Sequence, residues 1–195
     1  MSDQRLKPRG LTALSLGQVG MVLVLVSISV LFVASGIAVL ITHHQAGPAW
    51  RAPERHGLPW GTAASTALLG VVSWQLQAAL VAIRNNRFTQ SLNRWLGGGA
   101  AALVFLVVQA FNVRQLTALE GERAQTLFVF CYDLLVGLHA VHVLGGFVPL
   151  ALVHSRLRRR DYSSSRHDGL MFCVQYWHYL GLVWLLLLGI LSWVE

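Results

Sequence analysis

Three histidines in apolar segments are the residues of this chain best suited to chemistry. His139 and His142 are three apart, so they share one face of a helix. His178 lies in a later apolar segment. Buried imidazoles ligate haem, relay protons or form hydrogen bonds between helices. His142 and His178 are the best candidate pair of haem ligands, which leaves His139 over.

The other polar and reactive residues argue against several chemical roles for this chain. Asp133 is nine residues before His142 and falls off the face of the histidine pair, whereas a proton path normally uses several buried carboxylates. Cys131 and Cys173 are expected near opposite sides of the membrane, too far apart for a disulfide. The sequence has no nucleophile with a neighbouring base motif, no phosphate-binding glycine loop and no HExxH. Hydrogen bonding between helices is the favoured role, with haem ligation and proton or ion transport as alternatives.

The composition identifies the kind of molecule that must position these groups. Of the 195 residues, 55% are hydrophobic and 12% are charged. Soluble domains carry about twice that charge, so a soluble enzyme is excluded. The net charge of +7 is spread along the chain and not gathered on one polar domain, so no nucleic-acid partner is expected. The sequence predicts an integral membrane protein.

Five apolar segments are long enough to cross a bilayer, which requires roughly 20 residues each. They predict an all-α bundle of five transmembrane helices in a single domain over residues 1–195. The predicted spans are Val19–Thr42, Gly61–Ile83, Trp95–Val113, Gln125–Val153 and Leu170–Val194. Trp95, Trp177 and Trp193 fall near span ends, where indole rings favour the headgroup region. The Pro-, Gly- and Trp-rich loop 46–60 is expected to connect two spans at the membrane interface.

The basic residues predict the orientation of the bundle. Most of them precede the first span or lie in the second and fourth connections. The positive-inside rule therefore places the N-terminus in the cytoplasm and the C-terminus outside. The first residues lack the features of a signal peptide, so the first span is expected to remain. A lipid-headgroup contact is the less favoured interpretation of one basic cluster, which comprises Arg156, Arg158, Arg159 and Arg160.

Uncharged polar and small residues predict how the first three spans pack. The polar side chains are expected to form hydrogen bonds between helices. Pairs of small residues four apart predict close approach of helix backbones. The polar residues are Ser27, Ser29, Ser35, Ser73, Gln75, Gln77, Gln109 and Asn112, and the small pairs are Gly61 with Ser65, Ala78 with Ala82, and Gly98 with Ala102.

Two strings in the last two spans carry a family resemblance. One runs from Gly137 through His139 and His142 to the glycine pair that follows, and the other runs from Tyr176 to Trp184. Together they resemble the motifs of subunit III of haem–copper terminal oxidases. The five spans resemble the short bacterial form of that subunit. Its motif residues are Gly137, His139, His142, Trp177, His178 and Trp184, and the resemblance implies a structural role for them.

The resemblance implies a supporting, non-redox subunit of a proton-pumping oxidase. Such an oxidase reduces oxygen to water with electrons from cytochrome c or quinol, and this subunit supports its stability and proton uptake. The chain itself is expected to bind no cofactor except phospholipid. Haem and copper belong to the partner catalytic subunits, of which subunits I and II are the expected neighbours. The implied location is the bacterial cell (inner) membrane, as a multi-pass protein.

The chain also departs from the family pattern where many members carry acidic residues. Gly181 follows the Trp-His pair, Asn112 stands near another such position, and the first span has Ser27 and Ser29 but no carboxylate. Asp133 is the only formal charge inside a predicted span and a possible proton-linked residue. Two alternatives remain open: an accessory subunit of a nitric-oxide reductase, and an independent transporter or di-haem anchor.

Overall fold

The protein is described by a computed structural model that covers residues 16–47, 50, 61–120 and 126–195, without the side chains of 116–120. The described residues form five helices and no strand, as predicted. Each helix is long and apolar enough to cross a membrane. The helices are α1 (Leu16–Ala46), α2 (Gly61–Arg84), α3 (Phe88–Glu120), α4 (Leu127–Arg158) and α5 (Asp168–Val194).

The helices run past the predicted spans at several ends. α3 begins at Phe88, well before the predicted Trp95, and α4 continues to Arg158 without interruption at Pro149. A helix can be longer than the hydrocarbon core is thick, because its backbone remains hydrogen-bonded and the polar side chains near its ends reach the headgroup region. Arg94 and Arg156 consequently lie on helices and not in connecting loops. Most of the loop 46–60 lies outside the described residues.

The packing order differs from the chain order. α2 and α3 form a long hairpin with the most extensive contact in the protein. α5 packs on α1, α2 and α4, while α4 also contacts α3 and α1. α1 has the fewest contacts and exposes much of its length. α4 and α5 therefore occupy the centre, where their histidines are surrounded by other helices.

Two of the tryptophans correct the sequence prediction. Trp95 and Trp177 are each 1% exposed, whereas Trp193 is 80% exposed. Trp95 donates its indole N–H to the Leu150 carbonyl on α4 at 3.1 Å. Trp95 and Trp177 thus pack between helices and do not face the lipid, because their rings gain more from protein contacts than from exposure.

Candidate functional site

His139 lies at the centre of the bundle and is 1% exposed. Its ring contacts three aromatic rings from three other helices. The centroid distances are 5.3 Å to Trp184 on α5, 6.1 Å to Phe105 on α3 and 6.2 Å to Phe32 on α1. An imidazole enclosed in this way is held by ring packing.

The remaining helix, α2, joins this group through a hydrogen bond to Trp184. The Trp184 indole N–H donates to the Thr66 hydroxyl on α2 at 2.9 Å. We call Phe32, Thr66, Phe105, His139 and Trp184 the central cluster. Since each of the five helices supplies one member, the central cluster fixes their mutual positions. Phe32, Phe105 and Thr66 belong to no motif, so their part in the site could not be predicted from the sequence.

Neither ring nitrogen of His139 has a hydrogen-bond partner among the described residues. This differs from the expected bond between helices. An unpartnered buried imidazole costs free energy, which the surrounding aromatic contacts must offset. The polar groups of Tyr132 and Trp177 are likewise buried without a partner in the described part of the chain.

His142, one turn along α4, sits at the edge of this cluster and is half-buried. Its Nδ1 lies 2.8 Å from the Leu138 carbonyl of its own helix. Its ring packs on Phe32 at 5.1 Å. Its carbonyl accepts a hydrogen bond from the Tyr176 hydroxyl at 2.8 Å. His142 thus links α4 to α1 by its ring and to α5 by its backbone.

His178 points to a different neighbour. Its Nε2 lies 3.3 Å from Gln77 Oε1 on α2, which gives a hydrogen bond between helices of the predicted kind. His142 packs towards α1 and His178 towards α2. A two-imidazole haem site needs both rings in one gap between facing helices, and these contacts place them on different sides of the bundle.

The remaining motif residues bring α4 and α5 together or face outward. A Cβ at Gly146 would lie 2.9 Å from the Tyr176 ring and 3.2 Å from the Trp177 ring. Trp177 also stacks edge-on with Phe147, with centroids 5.7 Å apart. Gly137 is exposed, and a Cβ there would meet no atom within 4 Å. The sequence shows Gly146 as the second glycine of the pair that ends the first motif string, but it does not reveal the rings that need its missing side chain.

The predicted charged candidates lie outside the central cluster. Asp133 is half-buried, and its Oδ1 has no partner among the described residues. The four arginines at the end of α4 are exposed. Arg160, at φ +59°, places its guanidinium 5.3 Å from the Phe88 ring centroid. The basic cluster is therefore a surface feature beside the start of α3.

The uncharged polar residues follow the prediction only in part. Ser29 shares a 2.7 Å hydrogen bond with the Tyr179 hydroxyl and so joins α1 to α5. Ser27 and Ser35 bond to carbonyls of their own helix, and the buried Asn112 donates to Gln109 on the same helix. The predicted close approach at small residues is confirmed between α2 and α3, where a Cβ at Gly98 would lie 2.7 Å from Leu76.

The described residues contain no group of three His, Cys, Asp or Glu side chains that could hold a metal. Cys131 and Cys173 are free and buried. The site that this structure builds is therefore a junction of helices, centred on an imidazole and aromatic rings.

Comparisons with known proteins agree on one family. The sequence profile for cytochrome c oxidase subunit III matches residues 11–195. Cytochrome c oxidase subunit 3 of Synechocystis sp. is 32% identical over 173 residues, which cover 86% of this chain and 71% of the relative. Subunit 3 of the Pseudomonas aeruginosa cytochrome bo(3) ubiquinol oxidase is 25% identical, with 76% and 69% covered. Cytochrome c oxidase subunit 3 of Thermostichus vulcanus is 29% identical, with 65% and 62% covered.

Proposed function

This chain belongs to the cytochrome c oxidase subunit III family, and we propose that it is the non-redox subunit of a proton-pumping oxidase. It is a multi-pass membrane protein and part of a respiratory oxidase complex. The central cluster is the observation that supports a structural role. His139, its three ring neighbours and Thr66, which bonds to Trp184, connect all five helices. The histidines that could pair as ligands contact different helices.

The proposed task of the chain is to present a firm helical surface to the catalytic subunit. Burial of His139 among three rings makes the relative positions of α1, α3, α4 and α5 depend on one site. A rigid neighbour limits motion in the partner's helices, which supports turnover stability and proton uptake. In this proposal all six motif residues are structural.

Two surface features have secondary roles in the proposal. Asp133 supplies a proton-linked carboxylate, supported by its half-buried position and its unpartnered oxygen. The exposed arginines that close α4 contact lipid headgroups. The positive-inside rule places this basic end of α4 in the cytoplasm, so the N-terminus is cytoplasmic and the C-terminus is outside. The membrane in this proposal is the bacterial inner membrane.

The partners and cofactors follow from the family. We place subunits I and II of the oxidase beside this chain, with haem and copper held by those subunits and lipid around the bundle. Electrons come from cytochrome c or quinol, the two donors carried in the names of the relatives. An oxidase is favoured over a nitric-oxide reductase because the relatives compared are oxidase subunits.

Purification of the tagged chain in mild detergent tests the assignment. We expect a haem- and copper-containing catalytic subunit to co-purify and the complex to consume oxygen. A core with non-haem iron in place of copper would assign the chain to a nitric-oxide reductase. Loss of a b-type absorption band in His142→Ala would show that this chain binds haem and would overturn the non-redox role.

Glutamine substitutions test the structural role of the histidines. His139→Gln, His142→Gln and His178→Gln are each assayed for assembly, oxygen consumption and proton pumping, with the exposed His44→Gln as control. We expect yield of the complex and oxygen consumption to fall together, most at His139. A variant that assembles and consumes oxygen normally but no longer pumps would contradict the structural role.

A further inference from the structure

An exposed row of residues runs along α4, on the side of the helix away from the central cluster. The row consists of Asp133, Gly137, Val141 and Gly145, which are four residues apart and so follow one another along the helix surface. Val141 is 63% exposed, and both glycines are exposed. A Cβ at Gly137 or Gly145 would meet no atom of the described residues within 4 Å. We call these four residues the open row.

Gly137 belongs to the motif, yet the described part of the chain makes no use of its missing side chain. At Gly146, by contrast, a Cβ would lie 2.9 Å from the Tyr176 ring. Glycine weakens a helix, because it loses more backbone entropy on folding than any other residue. A second helix that packs on the open row would gain from the two glycines, since its backbone could approach α4 closely there.

Bulky side chains flank the open row. Leu134 and Leu144 lie on opposite sides of it and are 47% and 57% exposed. Residues four apart form the ridges and grooves by which helices pack, and small residues in such a row favour a right-handed crossing at about −40°. The two glycines are eight residues apart, which is roughly 12 Å along the helix axis. The open row therefore offers a contact for about two turns of a partner helix.

Asp133, at the end of the open row nearest the start of α4, determines the chemistry of that partner. It lies six residues after Leu127, roughly 9 Å along the helix axis. It is half-buried, and its Oδ1 has no partner among the described residues. A carboxylate at membrane depth pairs with another polar or charged group, because lipid does not solvate it. A basic side chain on the neighbouring helix would be such a group.

The same carboxylate argues against two other occupants. Two copies of this chain related by a two-fold axis along the membrane normal would bring the same residues together. The two Asp133 carboxylates would then meet at one depth, and like charges repel strongly where water is scarce. An acyl chain has no donor for a carboxylate. The complementary occupant is a helix of a different protein that carries a basic group.

We propose that the open row binds a transmembrane helix of the oxidase catalytic subunit, with a basic side chain of that helix against Asp133 and its backbone against Gly137 and Gly145. This contact rests on the proposed function, since it requires a catalytic subunit beside this chain, and it adds the face of α4 and the chemistry of the partner helix. His139 faces the centre of the bundle in this arrangement, whereas Gly137 faces the neighbouring subunit.

Photocrosslinking in the intact oxidase complex tests the contact. A benzophenone-bearing amino acid replaces the exposed Val141, and the complex is purified in mild detergent and illuminated. The position of each adduct is then determined by mass spectrometry. We expect an adduct on a transmembrane helix of the catalytic subunit, and we expect that helix to carry a lysine or arginine at the depth of Asp133.

Two pairs of variants test the open row without the photoreactive residue. Gly137→Val adds a side chain where the partner's backbone is expected, whereas Gly189→Val makes the same change at an exposed glycine of α5 with open space around it. Asp133→Asn removes the charge, with the exposed Asp161→Asn as its control. At normal levels in the membrane, we expect retention of this chain by the catalytic subunit to fall about tenfold in Gly137→Val and about fivefold in Asp133→Asn. Both control variants should be retained like the unmodified chain.

The outcomes distinguish failure of the contact from failure of the proposed function. An adduct on a second copy of this chain, or on lipid alone, would overturn the contact, as would equal retention of Gly137→Val and Gly189→Val. Equal retention of Asp133→Asn and Asp161→Asn would show that no basic group meets Asp133. Absence of a haem- and copper-containing subunit from the unmodified complex would overturn the proposed function itself, and this is visible before illumination.

Discussion

Two pairs of neighbouring helices in this bundle pack by opposite means. Between α2 and α3, a small residue faces the other helix at each contact: Gly61 faces the Asn112 side chain, Gly98 faces the Leu76 side chain, and Ser91 donates to the Ala79 carbonyl at 2.9 Å. Between α4 and α5, large rings fill the space, as where Trp177 packs on Gly146 and Phe147. The α2–α3 interface has the more extensive close approach of backbones, whereas aromatic rings fill the α4–α5 interface.

The difference shows which change each interface tolerates. A close interface has no room for added volume, whereas a ring-filled interface loses most when a ring is removed. Four of the six motif residues lie in the second kind of interface, where they also contact α1, α2 and α3, namely His139, His142, Trp177 and Trp184. The family's signature residues are thus found where several helices meet and not where two helices approach closest.

Removal of a central ring should have the largest effect. Trp184→Ala removes the contacts with His139 and Phe105 and the hydrogen bond to Thr66. We expect a loss of about 3–5 kcal/mol in the free energy of unfolding, the range for large aromatic truncations in cores. Thermal unfolding of the purified complex, followed through this chain, measures the change.

Trp193→Ala is the control for this truncation, because Trp193 lies at the end of the same helix but is 80% exposed. A ring at the lipid surface has few protein contacts to lose. Equal destabilisation by the two substitutions would show that the central cluster does not hold the bundle together.

Added volume in the close interface should have the next largest effect. Gly98→Val places a Cβ 2.7 Å from Leu76, which is fully buried and cannot move aside freely. Overpacking of this kind costs about 1–3 kcal/mol. Gly70→Val, on α2 with open space around it, is the control for the change in helix propensity. If Gly98→Val unfolds at the temperature of Gly70→Val, the backbones are not held close at this point.

At His139, leucine should be tolerated better than glutamine, although glutamine is chemically more similar to histidine. Because its nitrogens have no partner among the residues that the structure describes, His139→Leu removes an unpartnered polar group and should cost less than about 1.5 kcal/mol. His139→Gln keeps polar atoms among three aromatic rings and should cost more. Comparison of the two unfolding temperatures tests this order, and a higher stability for Gln than for Leu would indicate a hidden hydrogen-bond partner.

The smallest effect is expected outside both interfaces, at the attachment of α1. Ser29→Ala removes the 2.7 Å hydrogen bond to Tyr179 and should cost about 0.6 kcal/mol, the average for such bonds between membrane helices. Ser27→Ala is the matched control, because the Ser27 hydroxyl bonds to the Leu23 carbonyl of its own helix. The difference in unfolding temperature between the two variants measures the bond, and no difference would mean that α1 is held by apolar contacts alone.

Part of the candidate site could be predicted from the sequence. The spacing of His139 and His142 placed them on one face, and small residues predicted the close approach of α2 and α3. Their neighbours could not be predicted, since Phe32, Phe105 and Thr66 lie in segments without a motif. Hydrogen bonds between helices were predicted for every polar residue of the first three spans. Ser29 does bond to another helix, whereas Ser27 bonds to a carbonyl of its own helix. Whether a serine hydroxyl bonds to another helix depends on which side of its own helix faces a neighbour, and packing decides that.

The sequence by itself determined that this protein is a membrane bundle of five helices and that its last two carry the subunit III motifs. Apolar length alone decides whether a segment spans, because unpaired backbone groups are excluded from hydrocarbon. Only the tertiary structure decided which side of each helix faces the centre. These helices are apolar nearly all round, so hydropathy does not set their rotation. Packing of His139 against rings from α1, α3 and α5 sets it instead, and the same packing separates His142 from His178.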